Sequence, residues 1–478
     1  MIHQSVIYGN KFGNAAMREI WTDASMVQRW LDLEAALAWA QGELGIIPRR
    51  AAAKIVRSAT VEAITPQAIA EWHERTGHVI VSLVKAFRDA VPDVGELFHF
   101  GPTTQDILDT GLTLQIRDAL RLLVPDLMRL EHTVRVQARR HRKTVMAGRS
   151  EGQIGSPITL GYKLAVLDSE IADHIMRLAQ ASERLMWLTL FGATGVQSSF
   201  CHISDHRKTK KMLGLVSGRL ALPVPTICMH NRTDRFTELG TVLANLLSTL
   251  GEIGLEVRDL QRSEVAEVAE PWGTEQHSSS TMPQKQNPEV SEWLEGLARL
   301  GRGYAMSLLD IQQQHERDTS RVPPEIHALP NLLLHSAAAV QSATFVLGGL
   351  QVFKDRMRDN MLINGGLIMS EALMLLLAKR SRRKVWAHQI CHDIAMKVAR
   401  EGGDLADAMS ASSEVTRYLS PAEIRDACRP EEYIGTAIEQ VNRTTQACAQ
   451  RVARAAAIFR TTIFKQARQG RARGKAAA

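Results

Sequence analysis

Apolar residues in this chain recur every three to four positions over long stretches, while the two-residue alternation of half-buried strands is nowhere strong. Val27, Trp30, Leu31, Ala35, Leu37, Ala38 and Leu44 trace one face of a helix over about 25–44, which Gly45 and Pro48 stop. Shorter helical patterns follow at 49–58, 66–76 and 79–89. After Phe100-Gly101-Pro102 the helices lengthen. The period holds from 103 to about 142, some ~40 residues or ~60 Å at helical rise, and only Pro125 is expected to kink or break it. Patterns of similar length recur at 158–189, 234–262, 289–314 and 330–350. Beyond 351 they shorten again, at 366–378, 382–401, 421–427 and 434–463. The fold predicted is all-α. It comprises an N-terminal helical domain (1–102), a central long-helix bundle domain (103–350), a C-terminal helical domain (351–465) and a disordered basic tail (466–478). Gly240, Ala244, Gly251 and Gly254 lie in the apolar face of one long helix. They are expected to admit a helix of a neighbouring subunit, because so elongated a bundle buries little within one chain.

Composition narrows the class. The chain has 478 residues, 45% hydrophobic, 23% charged and only 5% aromatic, which suits a multidomain globular helical protein. Its five cysteines show no paired spacing, so neither a disulfide framework nor a zinc site is expected. The first residues lack a secretory signature, and no apolar run reaches the ~18 residues of a membrane span, which points to the cytoplasm without membrane partners. The net charge of +7 owes much to Arg468, Arg471, Arg473 and Lys475 in the tail, so small anions are expected as partners rather than nucleic acid.

Candidate chemistry sits in four loops, each opening onto a long helix. Thr103 and Asp106 form a capping-box pattern after His99, leaving Thr104 free for a ligand. Gly148-Arg149-Ser150-Glu151-Gly152-Gln153 precedes Ser156-Pro157, an expected N-cap and first helical residue. There Arg149 could clamp a carboxylate, and Glu151 could donate a proton if buried. His230 and Arg235 flank Asp234, a third expected cap. The fourth loop, Ser278-Ser-Ser-Thr-Met-Pro-Gln-Lys-Gln-Asn-Pro288, carries four hydroxyls and Lys285 up to Asn287, the expected cap of a helix whose free N–H groups suit an anion. No metal-ligand spacing, dinucleotide fingerprint, phosphate loop or nucleophile elbow accompanies them. Cofactor-free chemistry on a small anion remains.

The last loop resembles the signature of the fumarase/aspartase superfamily, Gly-Ser-Ser-x-Met-Pro-x-Lys-x-Asn-Pro, from Ser279 to Pro288. Gly101–Thr110, Gly148–Lys163, Glu316-Arg317-Asp318 and Gly366–Glu371 are similar to further blocks of its adenylosuccinate lyase and 3-carboxy-cis,cis-muconate cycloisomerase branch. The resemblance implies a homotetramer about a central bundle of five helices per subunit, with each active site shared between subunits. It implies anti elimination from a substituted succinate, releasing fumarate. Ser279 would be the base on a mobile loop, with Lys285 and Asn287 holding the carboxylate beside Ser280 and Met282. Thr103, Thr104, Arg149, Ser150, Gln153, His230 and Arg235 would line the substrate.

Three departures bear on the substrate. Where adenylosuccinate and argininosuccinate lyases carry Thr-His, this chain has Ser150-Glu151, so Glu151 is the expected acid unless the leaving group needs none. Where adenylosuccinate lyase continues into a phosphate-holding Ser-Ser-Val-Glu-Arg, this chain has Val322-Pro323-Pro324-Glu325-Ile326. Ser278 stands where glycine is usual. Lactonisation of a carboxymuconate is the alternative activity, and an inactive helical oligomer the alternative without one.

Overall fold

The structure, a computed structural model, describes residues 4–311 and 317–466. Glu316 and most of the tail predicted at 466–478 lie outside the described residues. Five long helices form the centre: α1 (Thr104–Arg140), α2 (Leu160–Leu185), α3 (Asp234–Gln261), α4 (Glu289–Leu309) and α5 (Val322–Gly348). They run up and down in turn. Thr237 at the start of α3 donates its hydroxyl to the carbonyl of Leu308 at the end of α4, and Gln137 near the end of α1 donates to Leu347 at the end of α5. The bundle therefore has two poles. One gathers the starts of α1, α3 and α5, the other the starts of α2 and α4. The 28 residues of α3 alone span ~42 Å between them.

Tertiary packing overrides two local signals. Pro125 neither breaks nor ends α1, because Leu123, Val124 and Leu127 around it are fully buried in the bundle core. α5 begins at Val322 rather than Pro330. Pro323 and Pro324 occupy its first turn, where N–H groups have no partner to lose, and Pro330 is carried inside among buried Ala328, Leu329 and Leu332.

The three glycines of α3, expected to admit a neighbouring subunit, instead pack within the chain. A Cβ on Gly251 would stand 2.7 Å from that of Ala298, and Gly254 and Gly240 are closed by Ser291 and Leu308, all on α4. Gly301 of α4 returns the contact, with Leu247 2.5 Å from where its Cβ would stand. Close α3–α4 packing is the reason for these glycines.

Two short antiparallel sheets, missed by the periodicity, lie at one pole: a hairpin of β1 (Val145–Ser150) and β2 (Gln153–Thr159), and β3 (Val268–Ala269) beside β4 (Gln351–Val352). Ser156 and Pro157 are thus strand residues, and Thr159 caps α2 through the N–H of Tyr162. The N-terminal helices share the bundle's core, with Trp30 packed over Gly111 of α1. Leu373, Leu377, Leu405, Met409 and Leu419 form a smaller core of their own. The last helix, Ala437–Thr461, returns to the main core through Val441, Ala455 and Phe459. Among the described residues no single helix is long and apolar enough to cross a membrane.

Candidate active site

At the first pole, Asp106 acts as a buried hub rather than a simple cap. Its carboxylate accepts the N–H groups of Thr103 (2.9 Å), Phe191 (2.6 Å) and Gly192 (2.9 Å), and meets His230 Nε2 at 2.8 Å. Burial opposes charge on His230, yet the Asp106 hydrogen bond raises its pKa to about 9. Cys228 adds to the effect of Asp106, and Arg317 lies 3.2 Å from Nδ1. Arg235 is enclosed as well, donating to the carbonyl of Leu185 and the hydroxyl of Thr189, 3.8 Å from Asp109. Arg321 binds the other oxygen of Asp109 and the carbonyl of His230. His230 and Arg235, expected to touch substrate, are therefore committed within the chain to the frame that holds this pole.

Thr103 and Thr104 stand at the mouth of that frame. His99 is held at a left-handed φ of 55° with its Nδ1 2.5 Å from buried Glu34. Burial works against charge on His99, but Glu34 prevails and holds its pKa above the ordinary imidazole value. His78, unnoticed in the sequence, caps the Val79–Ala90 helix by accepting the N–H of Val81 at Nδ1. That bond places the ring proton on Nε2, which faces the Thr104 hydroxyl at 3.4 Å. A cavity of about 320 Å³ opens alongside, lined in part by Lys85, Arg88, His99 and Thr104. The available signal for His78 was its place as a polar residue after Gly77 at a helix start.

The other pole carries the remaining candidates. Glu151 (φ 53°) and Gly152 (φ 77°) make the two-residue turn of the hairpin, and Ser150 pairs with Gln153 across it. All four are exposed, so the burial that an acid role for Glu151 requires is not supplied within the chain. Arg149 is spoken for: its guanidinium grips Glu267, at 2.6 and 3.0 Å, and Asn360 donates to the same carboxylate at 2.8 Å. It ties the hairpin to the stem of the serine loop, with its guanidinium engaged by that carboxylate.

In that loop the Oγ of Ser279 accepts two backbone N–H groups, from Met282 at 2.9 Å and Thr281 at 3.3 Å. Ser280, Met282 and Lys285 are exposed. Ser278 closes the base of the loop. Its hydroxyl donates to the carbonyl of Lys285 (2.6 Å) and accepts the N–H of Asn287 (2.9 Å), while the Asn287 side chain donates to its carbonyl (2.8 Å). Asn287 therefore does not cap α4. The first N–H groups of that helix go instead to Glu270, whose carboxylate accepts from Val290 (3.3 Å) and Ser291 (2.6 Å). The helix start already holds a carboxylate, so its N–H groups are not open to a ligand. No pattern near Glu270 announced this, since the partner lies twenty residues away.

Among the described residues no group of three or more His, Cys, Asp or Glu side chains is arranged to hold a metal. Residues 11–300 match the family model described as Lyase, and residues 366–444 that described as Adenylosuccinate lyase C-terminus. The chain is 36% identical to the adenylosuccinate lyase of Methanothermobacter thermautotrophicus, over 91% of this chain and 97% of that one. It is equally 36% identical to trans-aconitate decarboxylase 1 of Mycosarcoma maydis, over 90% of this chain and 87% of the relative. Among solved structures it is similar to a 3-carboxy-cis,cis-muconate lactonizing enzyme from Pseudomonas putida, with a TM-score of 0.86, 31% identity, and 94% and 100% of the two chains covered.

Proposed function

This chain belongs to the fumarase/aspartase superfamily of lyases, in the branch of adenylosuccinate lyases and carboxymuconate cycloisomerases, and from that premise we propose that it eliminates fumarate from a substituted succinate without a cofactor. Ser279 is the proposed base. The observation that carries this assignment is the pair of backbone N–H groups on its Oγ. A serine removes a proton from carbon at neutral pH only where its alkoxide is stabilised, and fixed N–H dipoles supply that stabilisation together with Lys285. The proton removed lies alpha to a carboxylate, and the resulting dianion requires cations and donors around it. Lys285 and Asn287 on the loop, and Thr103 and Thr104 with Ser150 and Gln153 from elsewhere, are the proposed holders.

These groups meet only between subunits. Thr104 opens one pole of the bundle and Ser279 lies at the other, some ~42 Å away along α3, so one chain does not bring them together. Exposed apolar residues on three bundle helices, Leu255 on α3, Leu300 and Met306 on α4 and Phe345 on α5, offer the surface for a shared homotetramer. Assembly in that form places the serine loop of one subunit over the threonines of another.

Two residues compete as the proton donor. Glu151 serves if a neighbouring subunit covers the hairpin turn; His78 already presents an N–H toward Thr104. An adenylosuccinate substrate is disfavoured, because Val322-Pro323-Pro324 form the first turn of α5 and the nearby Arg321 is buried against Asp109. Screening substituted succinates, carboxymuconate and trans-aconitate for product tests the assignment. Fumarate from a substituted succinate supports it, and lactone from carboxymuconate would place the chain with the cycloisomerases instead.

A further inference from the structure

A cleft of about 690 Å³ lies on the flank of α1, between the N-terminal helices, the end of the His206–Leu220 helix and the last described residues. It is lined by Arg117 and Arg121 from α1, Arg219 from that helix end, and Lys465 and Gln466. Arg117 lies thirteen residues into α1 from Thr104, or ~20 Å along the axis.

The charges in and around the cleft do not balance. Asp32, the only acidic residue lining it, is paired to Arg29 at 2.6 Å, and the adjacent Asp118 is shared by Arg29 (2.9 Å) and Arg121 (3.2 Å). Arg117, Arg219 and Lys465 have no carboxylate partner among the described residues. Arg117 is the telling member. It is only 9% exposed, donates through one nitrogen to the carbonyl of Leu220, and leaves its Nε without a hydrogen-bond partner. A buried guanidinium left half-satisfied costs stability unless an anion completes it. Burial, with Arg121 and Arg29 nearby, pulls the Arg117 pKa down to about 10, against the opposing pull of Asp118 and Asp32.

We propose that this cleft is a binding site for a small phosphate-class dianion, held by Arg117, Arg219 and Lys465. These cations come from three separate elements onto one opening. A tetrahedral oxyanion accepts hydrogen bonds in all those directions, whereas a carboxylate presents its acceptors in one plane.

The test is calorimetric titration of inorganic phosphate into the full chain carrying Lys285→Ala, which removes the loop cation as a competing site. One saturable site per chain is expected, weakened at least tenfold when Arg219→Gln and Lys465→Gln are added. Absence of saturable binding, or binding that those two substitutions leave unchanged, overturns the proposal. Succinate titrated in competition decides the ligand class. Displacement of phosphate only at far higher succinate concentration supports a phosphate site, and displacement at equal or lower concentration overturns it.

Discussion

The Oγ of Ser279 accepts the backbone N–H of Met282 at 2.9 Å, so the loop's own backbone is arranged to stabilise negative charge on that oxygen. Removing the hydroxyl by Ser279→Ala should leave thermal stability unchanged, because the residue lies on an exposed loop, and reduce kcat by about 10³-fold or more. Steady-state rates of fumarate formation check this. A variant retaining wild-type kcat would falsify the base assignment.

Ser278 distinguishes the base of this loop from the usual glycine, with its hydroxyl bound to both Lys285 and Asn287. Ser278→Gly removes both contacts and adds backbone freedom where the loop must be held. We expect kcat/KM to fall by about 10-fold, one lost hydrogen bond's worth of positioning, with the fold intact. Equal kinetics would show that the two contacts do not position Lys285 and Asn287.

The separation of Thr104 from Ser279 predicts complementation. Thr104→Val and Ser279→Ala should each be inactive alone, while unfolded and refolded together they should regain activity at about a quarter of the sites by random assortment. Light scattering should then report four times 53.0 kDa. Failure to recover activity from mixed tetramers counts against shared sites.

For the acid, His78→Gln and Glu151→Gln make opposing predictions. The true donor loses kcat by at least about 10²-fold with little change in KM, and the bystander keeps its rate. Measuring both variants on one substrate decides between them.

The pairing of Arg149 with Glu267 predicts a stability effect rather than a binding one. Arg149→Met strands a fully buried carboxylate and should destabilise the chain by about 3 kcal/mol, much of which Glu267→Gln in the same chain restores. Denaturant titration of the single and double variants checks it. A loss confined to KM would return Arg149 to the substrate.

Much of this protein is legible in its sequence because helices are written locally. The period of apolar residues depends only on neighbours three and four apart, so 49–58 and 66–76 are helical over the predicted residues and the five long helices all appear, although α5 starts eight residues before the predicted 330. The eleven residues from Ser278 to Pro288 likewise carry their chemistry in adjacent positions, which identifies the loop and its family at once. Tertiary structure alone decided where that local information was overruled or incomplete. Pro125 and Pro330 stay inside helices because the core around them outweighs one lost hydrogen bond. Arg149, His230 and Arg235 look like free cations in sequence and become frame, since Glu267, Asp106 and Asp109 reach them from distant segments. Glu270 takes the helix start that Asn287 was expected to cap. In each case the partner is far away along the chain and near in space, and only the packed bundle brings the two together.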